Sequence, residues 1–590
     1  MSAETIPHKV LQHGERTPGK PAYYVRENDT WRATSWGTYA EEVKTAANAM
    51  IALGLEVGQP VGILGFNRPE WVIFDVAAMA AGAVPAGIYT TNSPAECKYI
   101  LGHSEAPIVL LENEEQWEKI AAIRSELPAL KHVVMMKGTD IDDEMVLSWD
   151  EFMAKGADAP DGELASRMDS LDMNQLATLI YTSGTTGPPK GVMLSHDNLA
   201  WTASQTVQMF SVTSADSAVS YLPLSHIAEQ TFSIHVPATA GQAVYYAESI
   251  DNLADNMREG QPTIFFAVPW GWERFHAGVV ANLAETTGAK AKIADWAFEV
   301  VAKVSALRTE GKEPSGLLAG QYAVAKKLVI DKIKPRLGMT NARVLGTGAA
   351  PISKEILEFF ARLDMIIYEV YGQSEDTGPT STNRPGKVRF GSVGPAYPGV
   401  DVTIADDGEI VVAGRNVFLG YYKDETATAE TLIDGKLHSG DLGSFDDDGF
   451  LWITGRKKDI IITAGGKNVA PAPLEGGLKS HTLISEVVVI GDRKKFLSAL
   501  VTLDEEAAAA FASENGITDP LHESDRIQQE IEAAVEDLNK DFARAEQIKK
   551  FTVLSRQLSI EGGELTPTLK VKRNKVSEHF AAEIDAMYGE

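Results

Sequence analysis

Residues 181–196 read YTSGTTGPPKGVMLSH and follow the apolar run LATLI at 176–180. An apolar strand emptying into a turn of alternating hydroxyl and glycine residues is a layout for gripping a polyphosphate. Glycine lets the backbone approach the ligand, Ser and Thr hydroxyls donate to phosphate oxygens, and a lysine offsets their charge. The candidate phosphate-binding residues are therefore Thr182, Ser183, Gly184, Thr185, Thr186, Gly187 and Lys190. The turn is not a P-loop, because the Gly-Lys-Ser/Thr ending and the glycine spacing of that motif are missing. A generic polar turn would explain three or four of these residues, but not the alternation closed by PPKG.

On either side of this turn the chain alternates short β-rich and helical pieces. VGILG, an amphipathic stretch after Pro69, AVPAGIY, a helix near 95–103 and PIVLLEN give a βαβ rhythm from about residue 60. The alternation returns at AVYYA, TIFFAVP, ARVLGTG and MIIYEVYG, which predicts α/β sheets with ligands at strand ends. Between 275 and 343 the pattern turns helical, with Ile293, Trp296, Val300, Val304 and Leu307 spaced as a core-facing stripe. After Arg456 come the strands VVVI and ALVTL, a helix carrying Ile527, Ile531, Val535, Leu538 and Phe542, and a basic tail. We expect a large N-terminal domain over 1–455, a hinge at 456–460 and a small C-terminal domain over 461–590.

Bulk properties narrow the classes. A chain of 590 residues exceeds what one core supports, and 44% hydrophobic with 23% charged residues is the balance of a folded globular protein. Asp and Glu number 82 against 54 Lys and Arg, a formal charge of -28. That field repels a nucleic-acid backbone, so no nucleic-acid partner is expected, and any phosphate must be held by local donors. Cys97 is the single cysteine, which fits a reducing, cytoplasmic setting. Residues 1–20 lack the apolar stretch of a secretory signal, and Asp75 and Pro85 interrupt the apolar run at 72–88, so no transmembrane segment is expected. Peripheral membrane association and a homodimer are compatible with the sequence.

The 181–196 segment resembles the phosphate loop of the adenylate-forming superfamily of acyl- and aryl-CoA synthetases, peptide-synthetase adenylation domains and firefly-type luciferases. Further segments resemble that superfamily in the same order. GTGAAPIS at 346–353 is similar to its adenine-side loop, placing Gly348, Ala349, Ala350 and Pro351 beside the base. YEVYGQSE at 368–375 is similar to its central motif, with Glu369 and Gly372 inside it. There the resemblance implies that Tyr371 stacks on adenine, Ser374 bonds to phosphate and Glu375 helps hold Mg2+. Asp441 in SGDLG would accept from both ribose hydroxyls, Arg456 would approach the same sugar, and Lys458 would be the pivot between domains. Gly465 and Gly466 in TAGGKN stand where the superfamily lines its CoA pantetheine tunnel, although a plain β-turn explains the pair as well. The usual glycine before the C-terminal lysine is absent here. Matching KVKR selects Lys570 as the catalytic lysine, with Lys572 as the alternative.

The resemblance implies a fold of α/β sheets plus a distorted barrel, followed by a small, mobile α+β C-terminal domain. It also implies ATP, Mg2+ and CoA as cofactor and co-substrates. LPLSHIAEQ puts His226 where the resemblance implies a residue beside the substrate carboxylate, with a purely structural histidine as the alternative, and FFAVPWGWERF is similar to a stretch of long-chain and bubblegum-type fatty acyl-CoA synthetases. The implied substrate is thus a long-chain fatty acid, with Trp270 and Trp272 either guarding an acyl tunnel or filling core. An enzyme that keeps the acyl-adenylate or loads a carrier protein, an aryl or medium-chain synthetase, and an inactive nucleotide-binding homologue are the competing readings. No carrier domain follows the small domain, which favours CoA.

Overall fold

The computed structural model describes residues 4–182, 188–544, 546–566 and 569–589. The phosphate-loop residues Ser183, Gly184, Thr185, Thr186 and Gly187 lie outside the described residues, as do Pro567 and Thr568.

Two eight-stranded sheets carry the large N-terminal part. In one, the parallel strands Pro60–Leu64, Val84–Ile88 and Ile108–Leu111 lie side by side, as the βαβ rhythm predicts. Leu176–Thr182 joins them in parallel, and Lys190–Ser195 folds back against it as an antiparallel partner. In the other sheet Ser217–Ser220, Ile264–Ala267, Val344–Gly348 and Ile367–Tyr371 run parallel, ending the two central motifs at the same sheet edge. A five-stranded antiparallel sheet, built around Lys436–Phe445, stands where the barrel is expected. The small C-terminal part carries a three-stranded sheet of Ile484–Ile490, Leu497–Leu503 and Ile548–Val553. On it pack helices, including Asp525–Asn539 with Ile527, Ile531 and Val535 buried.

A polar strut ties the two large sheets together. Asn67, just past Pro60–Leu64, donates to Ser220 Oγ at 2.8 Å, to Leu222 O at 2.7 Å and to Glu229 Oε1 at 3.3 Å. Ser220 and Ser233 also donate to Glu229, whose carboxyl burial pushes up to about 8. Such a buried network fixes the relative placement of its elements, although the Asn67 side-chain oxygen finds no partner in it. Arg343 likewise locks the entry to the second sheet by bonding Asp216 at 2.6 and 2.7 Å. Burial opposes ionisation of Asp216, but Arg343, Thr213 and Thr263 outweigh it and bring the carboxyl to about 2.

Two helices differ from expectation. Pro69–Ala80 is not amphipathic: every residue after Pro69 is buried, because the helix is wedged inside the main core. Asp75 is carried in with it, and burial pushes its carboxyl up to about 8. In Ala289–Thr309 the buried face is Ala294, Ala297, Val300, Val301, Val304 and Ser305, whereas Ile293 is 44% exposed. Val300 and Val304 of the expected stripe are buried and Trp296 packs against the core, while the buried face extends to Ala294, Ala297, Val301 and Ser305 and leaves Ile293 out.

Trp272 lies fully inside the second core cluster, edge-on to Phe265 and Phe360, and its indole donates to Gly346 O at 3.1 Å. Trp272→Ala is expected to lower the stability of the large domain by about 3–5 kcal/mol, read as a shift in urea denaturation. A loss under about 1 kcal/mol would show that the site is not packed as described.

Candidate active site

The strand Ile367–Tyr371 delivers Tyr371 to the sheet edge, and a tight turn follows. Gly372 must be glycine there, since a Cβ would lie 1.6 Å from Gly378 O. The chain then enters the short 3-10 helix Ser374–Asp376, which presents Glu375. Opposite, the strand Lys436–Phe445 presents Asp441, and its partner Leu451–Arg456 places Arg456 directly across the ladder.

Asp441 is the hub of this cluster. Its Oδ2 accepts from Tyr371 OH at 2.9 Å and from Gln373 Nε2 at 2.6 Å, while Oδ1 pairs with Arg456 Nε at 3.1 Å. Gln373 also donates to Ser439 O at 2.8 Å. Burial, with Asp441 nearby, holds the Tyr371 phenol well above its ordinary range, so it stays a neutral donor.

A second chain of contacts links the phosphate hairpin to Glu375. Lys190 Nζ sits 4.7 Å from the Tyr421 ring centroid, and Tyr421 OH donates to Glu375 Oε1 at 2.8 Å. Thr182 stands at the end of the same hairpin, its hydroxyl donating to Lys190 O at 3.4 Å. Among the described residues no group of three or more His, Cys, Asp or Glu side chains is arranged for a metal ion. Glu375 with phosphate oxygens is nonetheless a suitable donor set for magnesium, which commonly takes one or two carboxylates and fills its shell from phosphates and water.

Lys570 comes to this cluster from the C-terminal part. Its N–H and C=O are tied to Thr566, through Thr566 Oγ1 at 3.0 Å and Thr566 N at 2.8 Å. The ammonium is held below the ordinary lysine value, first by crowding protein atoms and then by the charge of Arg456, against the pull of Asp441 and Glu375. His226 feels the same ammonium. Burial, then Lys570, lowers His226 to about 4. Its Nδ1 accepts from Ala228 N at 3.2 Å, so the neutral ring carries its proton on Nε2. Lys572, by contrast, bonds through its backbone to Glu564 O and precedes the helix Arg573–His579.

The remaining candidates scatter. Gly348 ends the strand Val344–Gly348, and Ala349, Ala350 and Pro351 form an exposed shelf of small residues with Ala349 in the left-handed region at φ 68°. Ser374 is buried at the base of the Glu375 turn. Glu369 points to Gly391 N at 3.0 Å and Asn383 Nδ2 at 3.2 Å rather than into the Asp441 cluster, and burial pushes its carboxyl to about 8. Lys458 is exposed in the 3-10 helix Lys457–Asp459. Gly465 and Gly466 cap the hairpin of Ile461–Ile462 and Asn468–Val469, a turn closed by Gly466 N to Thr463 O at 2.8 Å. Trp270 is exposed under Arg274, while Trp272 is core, so the two indoles do not share a surface. Gln373 and Tyr421 were not singled out from the sequence. Gln373 lay inside the quoted YGQSE, but the tyrosine of FLGYY carried no signal of its own.

A large α/β body with a small domain offering a lysine to its carboxylates is the frame of an AMP-binding enzyme. The family model described as AMP-binding enzyme matches residues 10–422, and that of the AMP-binding enzyme C-terminal domain matches 458–590. The chain belongs to the AMP-binding enzyme family. It is 40% identical to a long-chain-fatty-acid–CoA ligase of Xenopus laevis, covering 99% of this chain and 84% of that one. A human protein of the same name is 38% identical over 99% and 92%. One from Mycobacterium tuberculosis is 35% identical over 99% and 97%. Among solved structures, the A domain of a carboxylic acid reductase from Segniliparus rugosus superposes with a TM-score of 0.75 at 17% identity, covering 100% of this chain and 95% of that one. An anthranilate CoA ligase holding anthranoyl-AMP superposes at 0.73 and 20% identity, over 98% of each chain. These two likenesses show the fold.

Proposed function

We propose that this protein is an AMP-forming ligase that activates a long-chain fatty acid with ATP and passes the acyl group to CoA. The observation that carries this reading is the meeting of Lys570 with Glu375, Asp441, Arg456 and His226, in a chain 35–40% identical to ligases of that name. In this reading Asp441 takes the ribose hydroxyls, Lys190 and the hairpin turn take the phosphates, and Lys570 faces the carboxylate and α-phosphate. Magnesium, held by Glu375 and phosphate oxygens, supplies charge neutralisation for the departing pyrophosphate. His226 donates a hydrogen bond from Nε2–H to the ionised carboxylate, orienting it for in-line attack. Positioning and charge stabilisation do the catalysis, since no covalent enzyme intermediate is needed. After adenylation the small domain turns about Lys458, withdrawing Lys570 and bringing the Gly465–Gly466 turn toward the pantetheine arm.

The test is AMP release across straight-chain acids from acetate to C18 and an aryl control, with and without CoA. CoA-dependent turnover that rises with chain length supports the proposal. Acid-dependent pyrophosphate exchange with no AMP release even when CoA is present would point to an acyl-adenylate-retaining enzyme instead, and absence of acid-dependent pyrophosphate exchange to an inactive homologue.

The lowered Lys570 sets a pH limit. Only the ammonium form stabilises the developing negative charge, so adenylation should fall as pH rises through a value below the ordinary 10.5. Lys570→Arg should move that limb out of range, read by pyrophosphate exchange against pH. An alkaline limb unchanged in Lys570→Arg would assign it to another group.

A further inference from the structure

The ten-residue helix Gly316–Ala325, GLLAGQYAVA, contains no charged side chain and buries only Ala325. Pro69–Ala80 is comparably rich in apolar residues and is buried almost throughout. An apolar helix belongs in a core or against lipid, so one with its outer side in water is unpartnered. Its inner side is anchored. Leu318 and Tyr322 pack on the second core cluster, Tyr322 OH donates to Asp364 at 2.9 Å, and Arg308 lies over the Tyr322 ring.

The outer side carries Leu317 at 80% exposure, the most exposed large apolar residue among those described, with Val324 at 50%. Leu328, 42% exposed, extends the stripe on the π-helical continuation Lys326–Ile330. Spacings of seven and four residues put the three on one side of the helix. The charge around them is opposite to that of the whole chain. Between 311 and 337 there are six Lys and Arg against two Asp and Glu, in a protein of formal charge -28. Lys326, Lys327 and Lys332 are exposed and have no carboxylate partner among the described residues.

We propose that this helix docks the protein on an anionic lipid surface, lying in the interface with Leu317, Val324 and Leu328 inserted and Lys326, Lys327 and Lys332 at the headgroups. Ten residues are too few to cross a bilayer, and among the described residues no helix is long and apolar enough to do so. An interfacial helix needs what is present here: an apolar stripe, lysines beside it and an anchored back. Charge complementarity selects lipid. The acidic remainder repels an anionic membrane, so approach is favoured only where the local sign reverses.

The test is co-sedimentation of the full-length protein with vesicles of phosphatidylcholine containing about one third phosphatidylglycerol, against phosphatidylcholine alone. Wild type should partition onto the anionic vesicles. Leu317→Glu with Val324→Glu should lower the partition coefficient at least about tenfold. Lys326→Glu with Lys327→Glu should lower it only on the anionic vesicles and only at low salt. All four positions are solvent-exposed, so circular dichroism and pyrophosphate exchange with a soluble short acid should be unchanged. Equal partition of wild type and the Leu317/Val324 variant, or no partition of wild type, would overturn the proposal. So would self-association of wild type that the variant abolishes without any vesicle binding, which would assign the face to a second copy. Because binding is read by sedimentation, the result is independent of the ligase reading.

Discussion

Lys570→Ala is expected to lower the rate of acyl-adenylate formation by at least about 100-fold, the range seen when one positioned donor to a developing charge is removed. Lys570 is an exposed residue, yet its ammonium is crowded by protein atoms and feels the charges of Arg456, Asp441 and Glu375, so it is placed to act on charge that develops beside them. Transfer to CoA from supplied acyl-adenylate should stay within a few-fold of wild type, because that step runs with the lysine withdrawn. The measurement is a pair of assays on one preparation: pyrophosphate exchange for the first step, and acyl-CoA formation from synthetic adenylate for the second. If pyrophosphate exchange survives at the wild-type rate, the assignment moves to Lys572, whose alanine variant should then show the same split.

Lys458→Pro is expected to give the opposite split. The residue lies exposed in the 3-10 helix Lys457–Asp459, just after the strand that holds Arg456. Proline fixes φ near −65°, which suits a helical residue and so permits the arrangement described here. It forbids the backbone rotation needed to bring the other side of the small domain over the adenylate. Adenylation should therefore stay within a few-fold, while overall acyl-CoA formation drops by at least about tenfold, with acyl-adenylate accumulating. Lys458→Ala, which keeps rotational freedom, should behave like wild type. Equal loss of both steps in the proline variant would indicate misfolding rather than a blocked pivot.

The parallel strands around Ile63, Ala86 and Val109 were legible because each is a short apolar run bounded by turn residues. The strand Leu176–Thr182 was legible as the apolar run LATLI, whereas its antiparallel partner Lys190–Ser195 carried no separate signal. What failed was reading burial from local pattern. The stretch after Pro69 was expected to be amphipathic, but the surrounding core buries every residue from Glu70 to Ala80, Asp75 included. On Ala289–Thr309 the expected stripe held at Val300 and Val304, with Trp296 packed on the core, and failed at Ile293. The same limit applies to the site. Gln373 and Tyr421 act through partners distant in sequence, Asp441 and Glu375, so only the assembled sheets reveal them. The choice of Lys570 over Lys572 came from matching KVKR in the sequence; what the fold adds is that the Lys570 ammonium feels Arg456, Asp441 and Glu375.

The engagement of Asp441 on three sides has a consequence for how a nucleotide enters. With Tyr371 and Gln373 donating to the carboxylate and Arg456 paired with it, most of its acceptor capacity is engaged. A ribose diol seated there, as proposed, would share the carboxylate with these residents or displace one, so its net yield in affinity would be modest. The triphosphate end would then carry most of the grip, with the sugar contact acting as a check on identity.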